Sequence, residues 1–312
     1  MRWMNAARSK LCCAHEVRTQ PCVNDHFIEP YRMEQQIMAL LQVNFNSATL
    51  HRKVPMQVIL PSDAEIGSGG PFKTLYLLHG LMDNWLAWTS NTRIERWAME
   101  RNLVVVMPSA ENSFYVDMPY GSSCFGDFGA YVGQELVVMT RKMFRLSLKR
   151  VDTFIAGLSM GGFGALRNGL KYDDTFGYIA CLSGAIHIFE YPFDEPERNV
   201  IGEDACFGDI RAAALTDRNP RVAAEAMFER KKASGDTTFP KVYIACGTED
   251  YLLTANRRFA DFLKGNGVDV TYEEGPGEHD WDFWDSYIQR VLEWLPIEKV
   301  SQSSITGSEV SS

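Results

Sequence analysis

No stretch of the 312 residues approaches the about 18 consecutive apolar positions that a membrane-spanning helix needs. The first 37 residues place a charged or polar group every few positions. They hold no continuous apolar segment, which argues against a secretory signal. Basic charge is also short. Lys and Arg number 31 against 40 Asp and Glu, and a formal net charge of −9 argues against a general nucleic-acid binder. The seven cysteines, at positions 12, 13, 22, 124, 181, 206 and 246, are odd in number and contain no C-x-x-C pair. That spacing supports neither a disulfide framework nor a zinc site and fits a reducing compartment. No His/Asp/Glu cluster has metal-ligand spacing, so no metal is expected. Internal repeats are missing too.

What remains is a chain with 46% hydrophobic residues, enough for a sizeable core without staples. Residues 1–37 show neither helical nor strand periodicity and read as a poorly ordered extension, with Met33 and Met38 as alternative starts. Residues 299–312 are Ser-rich and read as a disordered tail. The domain is expected over 38–298. It opens with Leu41–Phe45 and Val54–Leu60, which alternate with period two and suggest a half-exposed hairpin. Thr74–Leu78, Leu103–Met107, Val151–Ala156, Tyr178–Leu182 and Val242–Cys246 are near-continuous apolar runs, the pattern of parallel strands covered on both faces. Val268–Glu273 alternates and suits an edge. Helices are expected at Thr92–Arg101, Gly129–Phe144, Gly162–Tyr172, Thr254–Gly265 and Asp280–Leu295, the last with Trp281, Trp284, Tyr287, Ile288 and Val291 on one stripe. This order predicts an α/β fold with a mostly parallel, doubly wound sheet led by an antiparallel hairpin. The irregular segment at about 185–239 reads as a lid-like insertion.

The chemistry centres on Gly157-Leu158-Ser159-Met160-Gly161. The pentapeptide alone is a weak pattern. Here it follows an apolar strand and leads into a helix start, the setting in which a sharp turn lifts a serine hydroxyl above the sheet. A serine at neutral pH needs a base, and the base needs an acid to hold its tautomer. Only His187 and His279 lie downstream of Ser159. His279 sits in a Gly/Pro loop after the last strand, where an open α/β sheet collects its active-site residues, and is the expected base. His187 reads as a lid or surface residue near the substrate. Asp250, closing the penultimate strand, is the expected acid, with Glu249 beside it as the competitor. The oxyanion formed on the attacked carbonyl needs donors, expected from the backbone N–H groups of Met160 and Leu81. His79, Gly80 and Trp281 complete the set expected around the substrate, with His79 structural rather than a second base. Phe189, Tyr191 and Phe193 either line an acyl pocket or form lid core.

Leu78-His79-Gly80-Leu81 with Trp85 and Trp88, Gly157–Gly162, Gly247-Thr248-Glu249-Asp250, and His279-Asp280-Trp281 with Trp284 together resemble the esterase D-like branch of the α/β-hydrolases, of the tributyrin-esterase type, over about Ala39 to Pro296. The resemblance implies Ser159, Asp250 and His279 as triad, the Leu81 and Met160 amides as oxyanion hole, and a cytoplasmic, cofactor-free, often homo-oligomeric hydrolase. Its small-molecule substrates would be short acyl esters, acetyl to butyryl, or feruloyl and cinnamoyl esters. S-formylglutathione hydrolysis and acyl transfer use the same residues. A fold member that binds ligands without catalysis is the alternative from another class.

Overall fold

A computed structural model describes residues 37–62, 71–118, 126–190 and 206–299. The expected disorder of the extension and of the Ser-rich tail, like Tyr191 and Phe193, falls outside the described residues. The expected hairpin is present. β1 (Ile37–Ser47) pairs antiparallel with β2 (Arg52–Ser62), in register from Leu40 opposite Ile59 to Ser47 opposite Arg52. β2 runs antiparallel to β4 (Val104–Pro108), and from there every pairing is parallel: β3 (Thr74–Leu78), β7 (Thr153–Leu158), β8 (Tyr178–Leu182), β9 (Lys241–Gly247) and β10 (Val270–Gly275). The spatial order is β1-β2-β4-β3-β7-β8-β9-β10. β5 (Asp117–Met118) and β6 (Gly126–Asp127) form a separate small ribbon.

The apolar runs become central strands because both faces of the sheet are covered. Tyr76, Leu78, Val104, Val106 and Ile155 face one core, which is completed by α5 (Met160–Lys171), α7 (Pro220–Ser234) and α8 (Leu253–Gly265). Their neighbours Leu75, Leu77, Val105, Phe154 and Ala156 point the other way, against α1 (Ala87–Asn91), α2 (Ile94–Met99) and α9 (Trp281–Trp294). β10, which alternates in sequence, is half-buried along its length at the edge.

Three helical expectations change. The helix expected at Thr92–Arg101 shrinks to α2 at Ile94–Met99, with α1 as a separate helix before it, because Thr92 turns extended and its hydroxyl accepts from the Ile94 amide at 3.2 Å. Gly129–Phe144 is interrupted: α3 (Phe128–Ala130) passes into a π turn at Tyr131–Glu135 before α4 (Leu136–Met143). The insertion holds α6 (Ile210–Ala214) and the fifteen-residue α7. Asn219 caps α7 by accepting from the Arg221 amide, Pro220 opens it, and Gly235 ends it at φ +72. Only Pro220, Ala223, Ala224 and Met227 are buried along it, a short stripe with one large apolar side chain that leaves a faint apolar period.

A buried guanidinium ties this insertion to α5. Arg167 on α5 is fully buried and donates from Nε to the Asp217 carbonyl at 2.8 Å. Its Nη2 donates to the Asp117 and Asp217 carboxylates, both at 3.2 Å. Lys171 reaches the same two carboxylates at 3.2 and 2.8 Å. Burial pushes both carboxyls up, but these cations and hydrogen bonds outweigh it and hold both below the usual carboxylate range. Depressed folded-state values give stability that is present above the unfolded value of about 4 and lost as pH falls through the folded ones. The melting temperature of the wild type should therefore exceed that of Asp217→Asn at neutral pH. The gap should close below about pH 4; a gap constant down to acid pH would contradict the assignment.

Candidate active site

Ser159 stands at the end of β7 with φ +51 and ψ −116, a conformation that costs a non-glycine residue about 1–3 kcal/mol. The surroundings hold it there. Its N–H donates to the Leu182 carbonyl at 2.9 Å, and its carbonyl accepts from Phe163 at 3.0 Å and Ala185 at 3.1 Å. The flanking glycines are required by close approach: a Cβ on Gly157 would lie 2.4 Å from the Gly161 carbonyl, and one on Gly161 2.4 Å from that of Leu78. Met160 opens the twelve-residue α5, so its amide belongs to the N-terminal turn, where the helix presents N–H groups and partial positive charge.

The loops after β9 and β10 bring the other two groups to this serine. His279 Nε2 lies 2.9 Å from Ser159 Oγ, and His279 Nδ1 lies 2.9 Å from Asp250 Oδ2. With Asp250 ionised, Nδ1 carries the proton and donates, which leaves Nε2 to accept from the serine hydroxyl. The Asp250 side chain is fully buried, and its Oδ1 accepts from the Leu252 amide at 2.8 Å. Burial raises its pKa, yet the bonds from His279 and Leu252 outweigh that and hold it below the ordinary value. Glu249 turns away from the histidine. Its Oε2 accepts from the Gly277 amide at 2.7 Å and from the Thr248 hydroxyl at 2.8 Å, so it braces the acid loop against the histidine loop. These loops pass so closely that a Cβ on Gly247 would meet the Gly277 carbonyl at 2.0 Å.

The third loop follows β3. His79 is only 1% exposed, and both its ring nitrogens are engaged. Nε2 accepts from the Ala110 amide at 3.0 Å, so Nδ1 bears the proton and donates to the Gly80 carbonyl at 2.8 Å. Burial lowers its pKa, in keeping with a neutral ring. This corrects the expectation that His79 contacts substrate: the imidazole is spent on backbone groups. Carbonyl and N–H point in opposite directions across a trans peptide, so clamping the Gly80 oxygen also sets the direction of the Leu81 N–H. Met82 donates its amide to Asn112 Oδ1 at 2.8 Å, and the Tyr115 hydroxyl donates to the His79 carbonyl at 3.0 Å. His79→Asn keeps a donor near the Nδ1 position, whereas His79→Ala removes both bonds. The alanine variant should lose about 10²-fold in kcat, the size of effect seen on removing an oxyanion donor, and the asparagine variant less. Equal kcat for the two variants would show that the Gly80 clamp is not what matters.

Around the histidine the walls are aromatic. Trp284 meets the His279 ring edge-on at 5.0 Å between centroids, and Tyr251 lies tilted at 5.0 Å. Trp281 is half-buried, edge-on to both Trp88 and Trp284 at 5.3 Å, one indole removed from His279. His187 is half-buried with its ring 6.2 Å from that of Tyr251. Phe189 packs on Phe163 and Phe207 and so belongs to the core under the insertion. The role of Tyr251 was not expected; its one available signal was its place directly after Asp250. Trp284 was expected only as core, and its contact with His279 follows from its place one turn into α9. Among the described residues no group of three or more His, Cys, Asp or Glu could hold a metal ion. No helix among them is long and apolar enough to cross a membrane.

A strained serine on a strand-to-helix turn, with a histidine and a buried carboxylate delivered from later strands of this sheet, defines the serine-hydrolase class of the α/β-hydrolase fold. Within it the chain belongs to the esterase family: the family profile described as "Putative esterase" matches residues 47–295. An acetyl esterase of Caldicellulosiruptor saccharolyticus is 40% identical over 270 residues, covering 83% of this chain and 98% of that protein. Among solved structures, the substrate-bound fluorophosphonate-binding serine hydrolase F of Staphylococcus aureus superposes with a TM-score of 0.71 at 32% identity, over 83% of this chain and 98% of that one. The S-formylglutathione hydrolase of the same species gives a TM-score of 0.70 at 32% identity, over 83% and 99%. The chain is a carboxylic ester hydrolase of this family.

Proposed function

We propose that the protein hydrolyses short-chain acyl esters, acetyl to butyryl, through an acyl-enzyme on Ser159. The observation that carries this reading is the unbroken row Ser159–His279–Asp250, two contacts of 2.9 Å ending on a fully buried carboxylate. Ser159 Oγ attacks the ester carbonyl while His279 Nε2 takes its proton. The oxyanion is met by the Leu81 and Met160 amides. Collapse breaks the bond to the alcohol oxygen, which leaves with the proton from His279. Water then gives a proton to the same nitrogen, attacks the acyl carbonyl, and Ser159 leaves with its proton restored. Asp250 stays ionised throughout and orients the imidazole. Each step uses side-chain and backbone groups alone, so the reaction calls for no cofactor.

Short acyl groups are favoured by the likeness to an acetyl esterase. Thioester hydrolysis is the second reading, supported by the likeness to an S-formylglutathione hydrolase. The reading includes a cytoplasmic location and a homo-oligomeric state, the latter open to light scattering. The test is a panel of initial rates on p-nitrophenyl acetate, butyrate and octanoate, a feruloyl ester and S-formylglutathione, with Ser159→Ala as blank. Acetate and butyrate should turn over fastest. Turnover of the thioester alone would move the function to the second reading, and equal background rates for both proteins on every substrate would overturn both.

A further inference from the structure

Tyr251 is 69% exposed, one of eight large hydrophobic side chains left in solvent among the described residues, and it sits directly on the catalytic histidine. The turn that carries it is pinned on both sides. Asp250 before it is buried with Oδ1 bonded to the Leu252 amide, and Leu252 after it is 1% exposed. Tyr251 is therefore the crest of a rigid turn, and its ring has one neighbour in His279 at 5.0 Å and another in His187 at 6.2 Å. His279 also meets Trp284, which is buried. The imidazole thus has a buried indole and an exposed phenol as ring neighbours.

Reaction chemistry says what comes to this imidazole. During acylation the departing oxygen must lie within about 3 Å of His279 Nε2, since that nitrogen supplies its proton. The acyl carbonyl is turned instead toward the Leu81 and Met160 amides. Whatever substituent the departing oxygen carries therefore comes beside the imidazole, which the exposed phenol also touches. Building on the serine-esterase reading above, we propose that Tyr251 is a specificity-determining wall of the leaving-group subsite, favouring esters whose alcohol bears a flat aryl face. Ring-on-ring contacts of this kind contribute about 0.5–1.5 kcal/mol, or about two- to thirteenfold in rate constant.

Phenyl acetate and ethyl acetate test this, because both pass through one acetyl-enzyme and differ only in what leaves. In Tyr251→Ala, kcat/KM on phenyl acetate should fall about five- to tenfold while that on ethyl acetate moves less than about twofold. Tyr251→Phe should restore the phenyl preference. The deacylation rate constant, measured by single-turnover decay of the acetyl-enzyme, should be the same in all three proteins. A fall shared equally by both esters, or slower deacylation, would mean that Tyr251 acts by positioning His279 and would overturn the proposal. So would unchanged kcat/KM on both esters. A wild type no faster than Ser159→Ala on either ester would overturn the serine-esterase reading itself, a result distinct from any of these.

Discussion

Replacing Ser159 with alanine should lower kcat by about 10⁶-fold, by analogy with other serine triads, without unfolding the protein. Alanine keeps the Cβ and the backbone groups that lock the elbow, so the bonds to Leu182, Phe163 and Ala185 remain available. The φ of +51 is no harder for alanine than for serine. Only the hydroxyl is lost, and with it the acyl-enzyme. Residual catalysis from the oxyanion amides and from substrate binding should remain above the uncatalysed rate. A burst experiment checks this: the wild type should release one equivalent of p-nitrophenol before steady turnover, and the variant none. A variant that keeps most of its activity would place the nucleophile elsewhere.

The second large effect belongs to Asp250. Asparagine there should lower kcat by about 10⁴-fold, because its amide can donate to Nδ1 and so favours the tautomer with the proton on Nε2. That tautomer cannot accept from Ser159. The side chain is fully buried, so solvent offers no substitute for the lost charge. Glu249→Gln provides the contrast. Glutamine retains an oxygen to accept from the Gly277 amide and the Thr248 hydroxyl, so the brace between the loops survives and kcat should change less than about tenfold. Steady-state kinetics on one ester for both variants separates the roles; a larger loss in Glu249→Gln than in Asp250→Asn would reverse them.

Much of the fold was legible because central parallel strands advertise themselves. Thr74–Leu78 and Thr153–Leu158 are apolar on both faces beyond their opening threonines, and both faces are covered. The elbow was legible for a different reason: Gly157 and Gly161 sit where any Cβ would collide with backbone, so the pattern records a steric demand. The loops of Asp250 and His279 followed from the rule that open sheets gather their chemistry at strand ends. Other features depend on partners distant in sequence. The clamp by His79 needs Ala110 and Gly80 to be known as its neighbours, and nothing local separates a buried backbone brace from a substrate contact. α7 hides because its buried face is only Pro220, two alanines and Met227, although its capping residues Asn219, Pro220 and Gly235 stand in plain view. Trp284 shows how a core residue can also wall a site, since one side chain packs in α9 and meets His279 at once.

The central claim is that Ser159 is the nucleophile, and covalent labelling tests it most directly. An alkyl fluorophosphonate, which phosphonylates only an activated serine, should add once per chain, and peptide mass mapping should place the adduct on Ser159. Esterase activity should fall in step with labelling, and His279→Ala should label far more slowly. An adduct on another residue, or loss of activity without modification of Ser159, would contradict the account.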